Sequence, residues 1–137
     1  MCLAAYLRSS CPIPEIKWNK NAPAFYIEAV EKSSRVRRRF SVPYIYYIGS
    51  HEGCGCGFLK AGEVGTDLER CQENYKALGQ AIREHMRLGA TSEVCSCWEG
   101  EQASEPKSYA IMNTTILESP TFELKELEHI RFVDSDT

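Results

Sequence analysis

The chain of 137 residues is 43% hydrophobic and 26% charged, and its formal net charge at pH 7 is −3. These values predict one domain that spans residues 1–137 and buries its own core, and they exclude disordered and fibrous proteins. No stretch approaches the ~20 apolar residues of a membrane-spanning helix, and the acidic balance argues against a nucleic-acid partner, because basic side chains supply most of that affinity.

Apolar runs rich in aromatic and β-branched residues predict the strands of the first third of the chain. The predicted strands cover residues 2–7, 24–31, 35–41 and 44–48. The strongest signal is YIYYI at 44–48, where such residues occupy both faces, as in a strand that is covered on both sides. In the third strand Arg35, Arg37 and Arg39 would share one face. This basic stripe is typical of a solvated sheet face, and the alternative is a contact with a phosphate or an acidic partner.

One long helix is predicted at about residues 67–88. The segment TDLE at 66–69 fits a capping box, in which the Thr66 hydroxyl and the Glu69 carboxylate each bond a backbone amide of the first turn. Gly89 can take the left-handed conformation that ends a helix. Apolar residues recur between these ends at steps of three and four, which predicts one buried face. The residues of this face are Leu68, Cys71, Tyr75, Leu78, Ile82 and Met86.

Two further strands are predicted after the helix, at residues 93–98 and 108–117. In the tail, Ser119 and Pro120 can serve as the cap and first residue of a short C-terminal helix, although Phe122 and Leu124 alternate as in a strand. The strands precede and follow the long helix in blocks. We therefore predict an α+β fold, with a mainly antiparallel sheet of about five or six strands packed on the helix.

Two cysteine pairs are the most distinctive feature of the sequence. The first lies in SHEGCGCGF at residues 50–58, and the second is CSC at residues 95–97. A structural zinc ion takes about four ligands in tetrahedral geometry, mostly cysteine sulfur and histidine nitrogen. We therefore hypothesise a zinc-binding protein. Its ligands would come from Cys54, Cys56, Cys95, Cys97 and His51.

The glycines beside Cys54 and Cys56 favour this hypothesis and one other. Gly53, Gly55 and Gly57 can adopt backbone conformations closed to other residues, so the chain can bend and bring the two thiols together. A glycine-rich turn before a helix can also bind an anion through its backbone amides. The same three glycines are therefore candidate anion-binding residues.

The cysteines allow two interpretations that need no metal. The first is a thiol-redox role. Cysteines two residues apart on a strand have Cα atoms about 6.6 Å apart, near the upper limit for a disulfide, so pairing between adjacent strands is an alternative to pairing within one CxC unit. Buried cysteine also packs as a small hydrophobic residue with no chemical role. Cys71 on the predicted helix face is expected to do so.

No arrangement of side chains in the sequence has the spacing of a catalytic site. We therefore expect a structural or interaction role, with a protein partner or a homodimer formed through a sheet edge. Metal binding or thiol redox chemistry is the alternative. The chain shows no basic leader for export and has seven cysteines, an odd number. Both features predict reduced thiols and a cytoplasmic location.

Overall fold

The computed structural model describes residues 3–17, 25–30, 44–50, 55–60, 63–101 and 104–133. Within these residues six strands form one sheet, and one α-helix, α1 (Gly65–Arg87), covers one face of it. The strands are β1 (Leu3–Ser9), β2 (Tyr26–Ala29), β3 (Tyr44–Gly49), β4 (Ser92–Trp98), β5 (Ser108–Asn113) and β6 (Glu128–Val133). Two 3-10 helices lie at Gly55–Phe58 and Thr114–Glu118. The predicted α+β fold is confirmed.

The strands are arranged in the order β2-β3-β1-β4-β6-β5. All neighbouring pairs are antiparallel except β5 and β6, which are parallel. Parallel neighbours cannot be joined by a tight turn and need a crossover of about a dozen residues. Residues 114–127 supply it, and the second 3-10 helix within this crossover packs against α1. This crossover leaves β5 as the outermost strand at its end of the described sheet.

Strict alternation of side chains gives the sheet two different faces. On the face toward α1, Leu7 of β1, Val94 of β4 and Ile130 of β6 pack with the helix residues Tyr75 and Leu78 in one apolar cluster. On the opposite face, called the distal face below, a smaller cluster is buried. It consists of Ala4, Tyr6, Ile45, Cys95, Cys97 and Leu127.

Helix α1 confirms the predicted helix but begins in a different way. Its cap position is Val64, which makes no side-chain capping bond, so the predicted capping box at residues 66–69 is wrong. The reason is Gly65, whose φ of 58° turns the chain into the helix one residue before Thr66. At the other end Gly89, with φ of 89°, ends the helix as predicted.

The apolar face of α1 is buried along most of its length. Cys71, Tyr75, Leu78 and Ile82 are between 0% and 2% exposed. Leu68, at 37% exposure, lies outside this buried face, in the first part of the helix, residues 65–70, which is exposed throughout.

The predicted short C-terminal helix is wrong. Residues 119–127 form turns and extended backbone, and the described chain ends in β6. A helix would use the backbone N–H of Leu124 internally, but here that N–H donates to the hydroxyl of Tyr75 at 2.9 Å. Phe122 and Leu124 are instead buried against α1.

The other predicted strands keep their places with small changes. The strand predicted at 108–117 ends at Asn113, because the Asn113 side chain accepts the backbone N–H of Thr115 at 2.9 Å and so caps the following 3-10 helix. The strand predicted at 35–41, with its basic stripe, lies outside the described residues.

Candidate interaction surface

The structure describes three of the five predicted zinc ligands. Cys95 and Cys97 are 2% and 0% exposed on the distal face. Cys56 lies in the first 3-10 helix, which contacts α1 on the other side of the sheet. Cys54 and His51 lie outside the described residues. Among the residues that are described, no three His, Cys, Asp or Glu side chains are grouped as a metal site requires. The zinc site therefore stays a prediction.

Three of the five described thiols are buried among packed side chains. Cys71 is buried on α1, and its Sγ donates to the carbonyl oxygen of Leu59 at 3.5 Å. The five cysteines that the structure describes form no disulfide with one another. Reactive thiols need solvent access, and burial keeps Cys71, Cys95 and Cys97 from it. A thiol-redox role stays a prediction.

The glycine-rich turn is shaped by close packing. The Gly57 amide donates to Ser50 Oγ at 2.9 Å, and the Gly57 carbonyl accepts from the Asn74 side chain at 3.3 Å. A Cβ at Gly57 would lie 2.1 Å from Ser50 Oγ, which only glycine avoids. The Gly57 amide is thus already bonded within the protein. Gly55 begins the first 3-10 helix, and Gly53 lies outside the described residues, so anion binding by this turn stays a prediction.

A second cluster near this turn fastens the crossover to the helix. The ammonium of Lys60 donates to Gln72 Oε1 at 2.6 Å and to the carbonyl oxygens of Pro120 and Ser119 at 3.2 and 3.3 Å. It also lies 4.9 Å from the centre of the Tyr75 ring. Burial lowers the pKa of Lys60, although nearby Cys71 and Glu123 act in the opposite direction. With its three oxygen partners, Lys60 serves as a structural tie.

The Tyr75 hydroxyl completes the same tie. It donates to the carbonyl of Phe58 and accepts from the backbone N–H of Leu124, so one side chain joins the first 3-10 helix to the crossover. Burial raises the pKa of this hydroxyl, which therefore keeps its proton and its role as a donor.

Polar side chains meet on the distal face between β1, β4 and β6. The Glu93 carboxylate accepts from Arg8 Nη1 at 3.1 Å, and its Oε2 lies 2.6 Å from His129 Nε2. The antiparallel register places Arg8 opposite Glu93 and Glu93 opposite Arg131. The ring of Tyr109 on β5 stacks on His129, with 5.5 Å between ring centres and 26° between planes. Side chains from four strands thus form one polar row beside the outermost strand.

This row borders a shallow depression of about 440 Å³ that opens to solvent beside β5. Its floor and rim combine charged groups with apolar ones. The lining residues are Arg8, Glu93, Tyr109, Ala110, Ile111, His129 and Arg131. An apolar patch with a polar rim is the usual composition of a protein interaction surface.

The outermost strand β5 carries the most exposed part of this surface. Tyr109 is 70% exposed and Ile111 is 71% exposed, and both face the distal side. Edge strands are usually protected by charged residues, proline or a covering segment. Residues 108–117 contain no charge and no proline, and in the described part of the chain no segment pairs with the outer side of β5. We call β5 with its bordering depression the open edge.

Sequence reasoning did not find the open edge. The uncharged stretch at residues 108–117 was a usable signal, because an edge strand without charge is unusual. The strand order that exposes it depends on long-range pairing, which this signal does not contain.

In the described residues no helix is both long and apolar enough to cross a membrane. The chain matches no protein family model, no curated protein and no solved structure.

Proposed function

We propose that this protein is an interaction module that binds an extended polypeptide segment along the open edge of its sheet. The observation that carries the proposal is the exposure of Tyr109 and Ile111, at 70% and 71%, on an uncharged strand at the end of the described sheet. A monomer gains nothing from two large apolar side chains in water, whereas a partner strand would bury both.

Strand addition explains why the edge and the depression lie together. An added strand gains affinity from main-chain hydrogen bonds and specificity from alternate side chains, which all project to one face. On the distal face those side chains would enter the depression beside Tyr109 and Ile111. The side chains of Glu93 and Arg131 at its border supply the polar rim that limits nonspecific association.

The cysteines support placing this role in the cytoplasm. Seven thiols on one chain persist in the reduced state there, whereas an oxidising compartment would favour their pairing. The five described cysteines form no disulfide with one another, which agrees with a reducing compartment.

A displayed library of random peptides, selected against the whole protein, tests the proposal. Peptides that bind the wild type should lose binding to Ile111→Lys, because the new charge occupies the apolar part of the edge. Leu88→Lys is the matched control. Leu88 is also aliphatic and 81% exposed, but it lies at the end of α1.

The outcomes separate cleanly. Enriched peptides that bind wild type and the Leu88 variant, but not the Ile111 variant, support the open edge as the binding surface. Hydrogen exchange should then slow at the outward-pointing amides of β5. If no peptide is enriched, or if the enriched peptides bind both variants equally, the proposal is wrong.

A further inference from the structure

The sequence of β5 is complementary to itself when two copies run antiparallel. We infer that the partner strand at the open edge is β5 of a second copy of this chain. This inference rests on the proposed role of the open edge and names its occupant. A twofold axis would pass through Ala110, the third residue of the strand SYAIMN.

In this register each large exposed side chain meets a large exposed side chain. Tyr109 lies opposite the partner's Ile111, and Ile111 lies opposite the partner's Tyr109, so both aromatic and β-branched pairs form on the distal face. Such cross-strand pairs are among the stabilising ones in sheets. A twofold interface uses the same patch twice, which this strand allows.

The backbone also fits this register. Alternate residues of an edge strand direct their N–H and C=O groups outward, and the others direct them toward the neighbouring strand. With Ala110 on the axis, odd-numbered residues pair with odd-numbered ones and even-numbered with even-numbered. Outward groups of one copy therefore meet outward groups of the other, whichever set points outward.

Charge does not oppose the pairing. The strand Ser108–Asn113 carries no charged residue, so no like charges face each other across the axis. Among the described strand residues of the distal face, the nearest cation is Arg131 on β6. Lys107, which precedes β5, would face the partner's uncharged Asn113 in this register. The two β6 strands would be about 14 Å apart, three strand spacings of about 4.8 Å. That distance exceeds the Debye length of ~8 Å at physiological salt.

The pairing has a consequence for the whole assembly. Opposed residues in an antiparallel pair project to the same face, so both α1 helices lie on one side of the joined sheet and both depressions lie on the other. The contact involves one short strand from each copy, which places it at the small end of specific interfaces. We therefore expect a dimer that dissociates on dilution.

Sedimentation equilibrium over a dilution series tests the inference. The wild type should pass from dimer to monomer mass on dilution, Ile111→Lys should stay monomeric throughout, and Leu88→Lys should follow the wild type. Circular dichroism checks that the variants are folded. A wild type that is monomeric at every concentration, or an Ile111 variant that still dimerises, overturns the inference.

Cysteine cross-linking tests the register independently. The variant that combines Tyr109→Cys with Ile111→Cys places each new thiol opposite a new thiol of the partner subunit, so it should form a covalent dimer faster than either single variant under mild oxidation. Equal rates for all three variants would exclude the register centred on Ala110.

These results are distinguishable from failure of the proposed function. If the wild type is monomeric but selected peptides still require Ile111, the occupant is a different polypeptide and the interaction role stands. If neither peptides nor a second copy bind at β5, both ideas fail together.

Discussion

The two ends of the described sheet differ in whether the outer side of the last strand is covered by another segment of the chain. At one end β2 has four residues, and its outer side is bonded by Ile16: each of Ile16 and Ile27 donates its N–H to the carbonyl of the other at 3.0 Å. The Ala29 amide also donates to Glu15 Oε2 at 3.4 Å. At the other end β5 has six residues and, in the described part of the chain, no such cover.

This difference shows that a segment of only a few residues is enough to cover the edge of a sheet. The segment at residues 15–16 pairs with the outer side of β2 and leaves Glu28 as an exposed charge. Both devices are common ways of preventing strands from pairing between molecules. In the part of the chain that the structure describes, the longer strand β5 has neither device, and it exposes Tyr109 and Ile111. Within the described residues the fold thus covers one end of the sheet with its own chain and leaves β5 uncovered at the other end.

The largest expected effect on stability comes from removing the Tyr75 hydroxyl, which bonds the crossover at residues 114–127 to the first 3-10 helix. Tyr75→Phe would leave the N–H of Leu124 and the carbonyl of Phe58 without the hydroxyl that now pairs with both. Each unpaired buried group costs about 1–3 kcal/mol, so we expect the free energy of unfolding to fall by at least ~2 kcal/mol in urea denaturation.

Tyr109→Phe removes the same hydroxyl from the open edge itself and is the control. Tyr109 is 70% exposed, so its stability should change by less than ~0.5 kcal/mol. Equal losses in the two variants would show that the tie does not support the β5 end of the sheet.

Opening the covered edge is expected to have the next largest effect. Ile16→Pro removes the N–H that pairs with Ile27 and cannot restore it, because proline has no backbone donor. We expect a loss of roughly 1–2 kcal/mol in the free energy of unfolding and new concentration-dependent association, measured by denaturation and light scattering. Lys17→Pro, one residue further along the same exposed segment, should show neither change. If Ile16→Pro is as stable as the wild type and associates no further than the wild type does, Ile16 does not protect β2.

The main helix and most of the described strands could be predicted from the sequence, but their arrangement in space could not. The helix at 65–87 follows from local periodicity, and the strand at 44–49 follows from a run of aromatic and β-branched residues. Both patterns persist in the fold because most of these apolar residues are buried. The C-terminal helix was predicted wrongly because the N–H of Leu124 pairs with Tyr75, 49 residues away, and no local pattern shows that bond.

The polar row of the distal face could not be predicted for a related reason. Glu93 and His129 are 36 residues apart and meet only through the register of β4 with β6. The sequence around Glu93 and His129 matches no spacing typical of a catalytic or metal-binding site. The cysteine pairs, by contrast, were conspicuous in sequence, yet Cys95 and Cys97 are packed among apolar side chains.

A smaller effect is expected at Glu128. This residue is the first of β6, the strand that pairs with β5. Burial raises the pKa of this carboxyl, and Lys125 partly opposes the shift. Between the usual pKa and the raised one, the folded protein therefore holds a proton that the unfolded chain has lost. Stability should fall as the pH rises from about 4.5, the usual value for glutamate, to the raised pKa, and stay lower above it.

Glu128→Gln should remove this pH dependence and be more stable than the wild type at neutral pH, as measured by urea denaturation across the pH range. Glu105→Gln, at an exposed position, should retain the wild-type profile. A Glu128 variant with the wild-type profile would show that the carboxyl is ionised in the fold at no cost.

The smallest effect is expected at Lys107, the only cation next to β5 in sequence. Its ammonium lies 3.7 Å from Glu126 Oε1, but the two side chains are 68% and 38% exposed, and such surface pairs contribute little. Lys107→Met should change the free energy of unfolding by less than ~0.5 kcal/mol. In the register centred on Ala110, Lys107 faces the partner's Asn113, which is uncharged, so the dimer dissociation constant should change less than about threefold. A much tighter dimer would mean that Lys107 guards β5 as Glu28 guards β2, and the two ends of the sheet would then differ only in degree.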